Sequence, residues 1–208
     1  VLCLQDDIAD TMIAMIAGAM DTLVLGDPSK LSSDIGPVIS QAAADGLMAH
    51  IARMRETARI LKALPLGEAH AHGSFVAPHL IEIGSIKELT REEFGPILHV
   101  LRYPASGLDA LLADIRATGY GLTMGVHSRL EGTARRVFAA SRCGNTYINR
   151  SMTGAVVGVQ PFGGAGLSGT GPKAGGPYYL HRFASERTYT VNVAATGGNT
   201  QLFTMNEG

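Results

Sequence analysis

Apolar and polar positions alternate along this chain in short, regularly spaced groups. Val1-Leu-Cys-Leu-Gln5 reads as an apolar strand. Asp6 and Asp7 then mark a helix start, and Ile8, Met12, Ile16 and Met20 recur every four residues as one stripe. Gly26-Asp-Pro28 and Gly36-Pro37 punctuate a loop. Ser40 is placed to cap a long second helix, in which Leu47, Ile51, Met54, Ala58 and Leu61 share a face and the end falls near Leu64-Pro65. After a polar stretch holding His70 and His72, Phe75 to Ile83 reads as a strand, with Pro78 favouring an edge or irregular position.

From Pro96 the pattern becomes regular. Ile97 to Tyr103 is strand-like, Leu108, Leu111, Leu112 and Ile115 give a helix, and Gly119 can close it. A second unit follows: Leu122 to His127 as strand, Ser128 with Glu131 as a capping-box pattern, Ala134, Val137 and Phe138 as a buried helix face, and Thr146 to Asn149 as strand. Strand, helix, strand, helix, strand implies an α/β fold with parallel pairing and right-handed crossovers. Residues 150 to 177 are too rich in Gly and Pro for regular helix or central strand, which suggests a functional loop region. Arg187 to Val193, with Tyr189, Val191 and Val193 on one face, looks like a final strand leaving the core.

Composition narrows the function classes. The 208 residues are 46% hydrophobic and 17% charged, enough for one buried core and without a disorder signature. Seventeen basic against eighteen acidic residues argue against nucleic acid or an anionic membrane surface as partner. The longest apolar runs stop short of about 18 residues, so no transmembrane segment is expected. Cys3 and Cys143 are the only cysteines, consistent with a reduced, cytoplasmic protein without disulfides. The chain opens without Met on a strand already under way, which leads us to expect a portion of a longer polypeptide.

Candidate chemistry is sparse at first sight. Gly164-Ala-Gly166-Leu-Ser-Gly169 matches the dinucleotide-binding glycine fingerprint, but Pro172, Gly175, Gly176 and Pro177 leave no helix behind it to face pyrophosphate. Cys143 is expected at a helix C-terminus, where the dipole raises a thiol, and Cys3 among apolar neighbours, so neither suits a nucleophile. The histidines lack ligand spacing, and no metal is expected.

Glu92-Glu-Phe94-Gly-Pro96 is harder to dismiss, because Gly-Pro fixes an aromatic group and a carboxylate on a rigid turn. With Gly26-Asp-Pro28, Gly36-Pro37, Tyr120-Gly-Leu-Thr123, Gly144-Asn145, Ile148-Asn149 and Pro161-Phe-Gly-Gly164 in order, it resembles the aldehyde dehydrogenase family over essentially the whole chain. Within that family, the stretch from Arg142 through Phe162 and on to Pro177 is most similar to the glutamate-γ-semialdehyde dehydrogenase module of proline utilization A enzymes. The resemblance implies a catalytic domain with a doubly wound, mostly parallel sheet and flanking helices over residues 1–185, and an oligomerisation strand and tail over 186–208, giving a homodimer. It also implies NAD as cofactor, with Glu92 gripping the nicotinamide ribose and Phe94 flanking the nicotinamide. FAD would belong only to a separate proline dehydrogenase domain. Gly154 and Ala155 would bind the substrate α-carboxylate through backbone amides, and Phe162 would wall the aldehyde chain.

In the family a Cys thiolate attacks the semialdehyde, hydride passes to NAD and the thioester is hydrolysed to glutamate. The resemblance places that Cys a few residues upstream of the position matching Val1, with the general-base Glu and most of the NAD-binding domain further upstream. The chain alone is therefore expected to be inactive, with no catalytic residue of its own and the rest of the parent polypeptide as its partner. Two alternatives remain: a non-catalytic folding or oligomerisation fragment, and a dehydrogenase for another acidic semialdehyde.

Overall fold

The computed structural model describes residues 1–153, 158–192 and 195. Its centre is a four-stranded sheet in the order β1 (Leu2–Gln5), β4 (Ile97–Tyr103), β3 (His79–Ile83), β2 (Arg59–Ala63). β1 and β3 each pair parallel with β4, while β2 runs antiparallel along β3 with an irregularity between Ile60 and Lys62. Alternation along the strands divides the core in two. Cys3, Ile81, Ile83 and Leu101 face α2 (Gln41–Thr57) and α3 (Leu108–Ala117), with Met54, Leu111 and Ile115 packed on them. Leu4, Leu80, Leu98 and Val100 face the opposite side, covered by Ala9, Met12, Ile16 and Met20 of α1 (Asp6–Met20). Helices thus cover both faces, and β3 and β4, buried on both, read as nearly continuous apolar runs, as strands of a parallel sheet do.

The second unit forms its own parallel pair, β6 (Thr123–Val126) with β7 (Asn145–Ile148), joined by α4 (Glu131–Ala140). β5 (Tyr120–Gly121) pairs antiparallel with β8 (Ala165–Gly166), which stitches the glycine-rich segment back onto the unit. Gly119, at φ +79°, stops α3 as expected.

Several expectations are corrected. α2 ends at Thr57, not near Leu64, because Arg59 to Ala63 pair with β3 and Leu61 packs beneath α1 as a strand residue. The strand expected from Phe75 begins only at His79. Ser128 does not form a capping box with Glu131: its hydroxyl accepts from the Leu130 N–H, and α4 starts without a side-chain cap. Residues 187 to 192 form no strand among the described residues, and Val193 lies outside them. An edge segment without a partner strand has no ladder to define it.

Candidate active site

The segment between the short turn at Ile86–Glu88 and β4 presents Glu92 and Phe94 to solvent, Phe94 being 87% exposed, while the Glu93 side chain is only 7% exposed. Its backbone is pinned at both ends of Gly95-Pro96: the Ile97 N–H donates to the Gly95 carbonyl at 2.8 Å and the His79 N–H to the Pro96 carbonyl at 3.0 Å. Gly95 also lies directly against α2, where an added Cβ would come within 2.4 Å of Leu47 Cδ1. Only glycine permits that approach.

Glu93, to which the sequence drew no notice, is surrounded by cations and imidazole. Its carboxylate accepts from Arg91 Nε at 2.9 Å and lies 3.6 Å from Arg53 and 3.3 Å from His50 Nδ1. His50 is fully buried, receives Arg53 at 2.7 Å on Nδ1, and meets His99 Nε2 through its own Nε2 at 2.8 Å. Burial pushes the Glu93 carboxyl up, but the hydrogen bond from Arg91 and the charges of His50 and Arg91 outweigh it and hold the group below its ordinary value. Burial pushes His50 down against the attraction of Glu93, and burial together with His50 brings His99 down to about 4. His50 and His99 are 49 residues apart, so no local motif announces the pair.

On the opposite side of the chain's chemistry stands Phe162. It forms a reciprocal bridge with Ala174, the two N–H···O distances being 3.0 and 2.9 Å. Asn145, buried at the start of β7, brackets it: Nδ2 donates to the Pro161 carbonyl at 3.1 Å and Oδ1 accepts from the Gly163 N–H at 3.4 Å. Lys173 donates to the Gly144 carbonyl. At the other end of β7, Asn149 adopts φ 52° and exchanges two hydrogen bonds of 2.9 Å with the Ser128 backbone, which fixes the departure of the loop carrying Ser151 and Thr153. A cavity of about 350 Å³ beside it is lined by Asn145, Tyr147, Arg150, Gln160 and Lys173. Gly154 and Ala155 lie outside the described residues. Sequence reasoning named Phe162 but passed over Asn145 and Asn149 as positioning groups, although paired Asn residues bounding a four-residue strand were the available signal.

Burial pushes the thiols of Cys3 and Cys143 up, in Cys3 against a small opposing effect of the N-terminal charge. Gly166 sits at φ +62° within β8 and no α-helix follows it among the described residues, so the glycine fingerprint makes turns. Among the described residues no group of three or more His, Cys, Asp or Glu could hold a metal ion, and no helix is long and apolar enough to cross a membrane.

Comparisons with known proteins agree with this layout. A family model described as "Aldehyde dehydrogenase family" matches residues 1–189. The bifunctional protein PutA of Klebsiella aerogenes is 51% identical over 192 residues, covering 90% of this chain and 15% of the relative. A 1-pyrroline-5-carboxylate dehydrogenase of Bacillus thuringiensis is 36% identical over 180 residues, covering 85% of this chain and 34% of the relative. A crystal structure of Bradyrhizobium japonicum proline utilization A superposes with a TM-score of 0.86 at 55% identity, covering 93% of this chain and 20% of that one. The chain thus spans about 15% of the length of the PutA relatives it matches. With the family model running through the sheet, the Glu92-to-Pro96 turn and the Phe162 segment alike, this chain belongs to the aldehyde dehydrogenase family.

Proposed function

We propose that the chain is part of an NAD-dependent L-glutamate-γ-semialdehyde dehydrogenase of proline catabolism, supplying the nicotinamide-ribose clamp and the substrate-carboxylate anchor. The observation that carries it is the turn on which Glu92 and Phe94 stand exposed beside one another on a backbone pinned to β3 and α2. A carboxylate offers acceptors only, which suits two ribose hydroxyls, and an exposed aromatic face suits a flat heterocycle. NAD, when bound, takes the hydride from the aldehyde carbon. Glu92 orients the ribose and Phe94 bounds one side of the nicotinamide and keeps water from it. The relatives named as PutA and 1-pyrroline-5-carboxylate dehydrogenase support the choice of substrate.

On the substrate side, two consecutive amides at Gly154 and Ala155 take the α-carboxylate, as converging N–H groups do for anions. Phe162, held by Asn145 and Ala174, walls the chain of the aldehyde. Neither cysteine suits attack, since burial raises both thiols, so the nucleophilic Cys is assigned to residues outside these 208, as the family resemblance assigns the general-base Glu, and the chain by itself turns nothing over. The working protein is a cytoplasmic homodimer, joined through residues 188 to 193.

The test compares NADH formation from glutamate-γ-semialdehyde and from an uncharged aldehyde of equal length, using the longer polypeptide with and without a residue inserted after Gly154. The insertion is expected to cut the preference for the acidic substrate by roughly 100-fold, because a site built for a polar group discriminates strongly against its absence. An unchanged preference sinks the anchor, and NADH formation by the 208 residues alone, abolished by Cys3→Ser, overturns the assignment of the nucleophile.

A further inference from the structure

Of the three residues at the clamp, Glu93 has no role in cofactor binding so far, yet it has the most elaborate surroundings. Exposure alternates along the segment, Glu92 out, Glu93 in, Phe94 out. In such a backbone the direction of the middle side chain fixes the opposite direction of its two neighbours. Whatever secures Glu93 therefore aims Glu92 and Phe94.

What secures it comes from two elements. α2 contributes His50 and Arg53, which reach the Glu93 carboxylate at 3.3 and 3.6 Å. β4 contributes His99, whose Nε2 meets His50 at 2.8 Å from behind. We infer that Glu93 is a positioning residue, tethered to α2 by Arg53, which His50 holds and His99 braces from behind, and that this tether sets the outward direction of the Glu92–Phe94 clamp toward the nicotinamide ribose. This rests on the cofactor role proposed above.

The hydrogen bonding closes with the His50 proton on Nε2. With the proton on His50 Nε2, that atom donates to His99 and Nδ1 accepts from Arg53, which can only donate, leaving Glu93 to Arg91 and Arg53. A proton on Nδ1 would instead face Arg53, a second donor, at 2.7 Å. Burial keeps both rings neutral near pH 7, so they join without repulsion. Removing the carboxylate takes from Arg91 and Arg53 their shared acceptor, and the tether between α2 and the turn is gone.

The test uses the longer polypeptide and reads NADH affinity directly by fluorescence titration, alongside KM for NAD, KM for the semialdehyde and the melting temperature. Glu93→Leu is expected to weaken NADH binding about tenfold and raise KM for NAD in proportion, leaving KM for the semialdehyde within about twofold, since a lost hydrogen bond to a charged group is of that order. Glu93→Gln, which keeps an acceptor for Arg53 and Arg91, is expected to weaken it only about threefold. Glu92→Gln serves as the direct-contact control. If Glu92→Gln weakens NADH binding while Glu93→Leu binds it like the parent, the clamp stands and the positioning role is overturned. If Glu92→Gln has no effect, the clamp itself is wrong. Should Glu93→Leu not fold, Glu93→Gln decides, and parent-like NADH affinity overturns the inference.

Discussion

A histidine sealed between a helix and a strand is a base kept from its proton by folding. Burial and the neighbouring His50 bring His99 to about 4, while an ordinary imidazole in the unfolded chain titrates near 6.5. The unfolded state therefore binds more protons between these values, and the stability contributed by the neutral pair is complete above pH 6.5 and lost as the pH falls toward about 4. The other charged groups acting on the pair are Glu93, Arg53, Arg91 and the N-terminal amine. Of these only Glu93 titrates on the acid side, and with its carboxyl held below the ordinary 4.5 it adds its own loss from about pH 4.5 downward, at the foot of that window. Denaturant midpoints measured from pH 7 to pH 4 are expected to fall steadily, and His99→Gln, which keeps a polar partner for His50 but takes up no proton, is expected to flatten the fall. An equally steep fall in the variant would assign the acid sensitivity to other groups.

Among the elements, β3 and β4 hold the fold, and the contrast between their buried and exposed partners can be measured. Leu80 and Val100 are wholly buried beneath α1, whereas Arg102 at the end of β4 bridges Glu82 and the exposed Asp10, each at 2.7 Å. Leu80→Ala is expected to cost about 2–5 kcal/mol and Asp10→Ala under about 1 kcal/mol in equilibrium unfolding, since a cavity persists where a solvated ion pair gives little. Comparable losses for the two would contradict the placement of the core. Elements whose signals are local were readable from the residues: Ser40 caps α2 through the Ala43 N–H at 3.2 Å, and the four-residue stripe of α1 lies against the sheet. Leu61 misled, because it continues the helical period of α2 while a distant strand, β3, decides its conformation. For the same reason the Glu92-to-Pro96 and Phe162 segments stand out as motifs in the residues, whereas the contacts of His50, Glu93, His99 and Asn145 do not: they exist only where separate elements meet.

For the molecule as a whole, the segment after Pro177 carries exposed Tyr178, Leu180, Phe183, Tyr189 and Val191, an apolar surface that suits the pairing with a second copy proposed above. Deleting residues 184–208 from the longer polypeptide is expected to convert a dimer to a monomer in sedimentation, and an unchanged mass would place the interface elsewhere. The path of the chain through the sheet has a further consequence. β1 pairs along β4, Leu2 with Val100, so its partner is made about 100 residues later, and at the usual pace of synthesis roughly 5–20 s pass before that partner exists. During that interval Leu2, Cys3 and Leu4 lack the strand that closes their ladder, and their backbone groups and apolar side chains stay open to other partners.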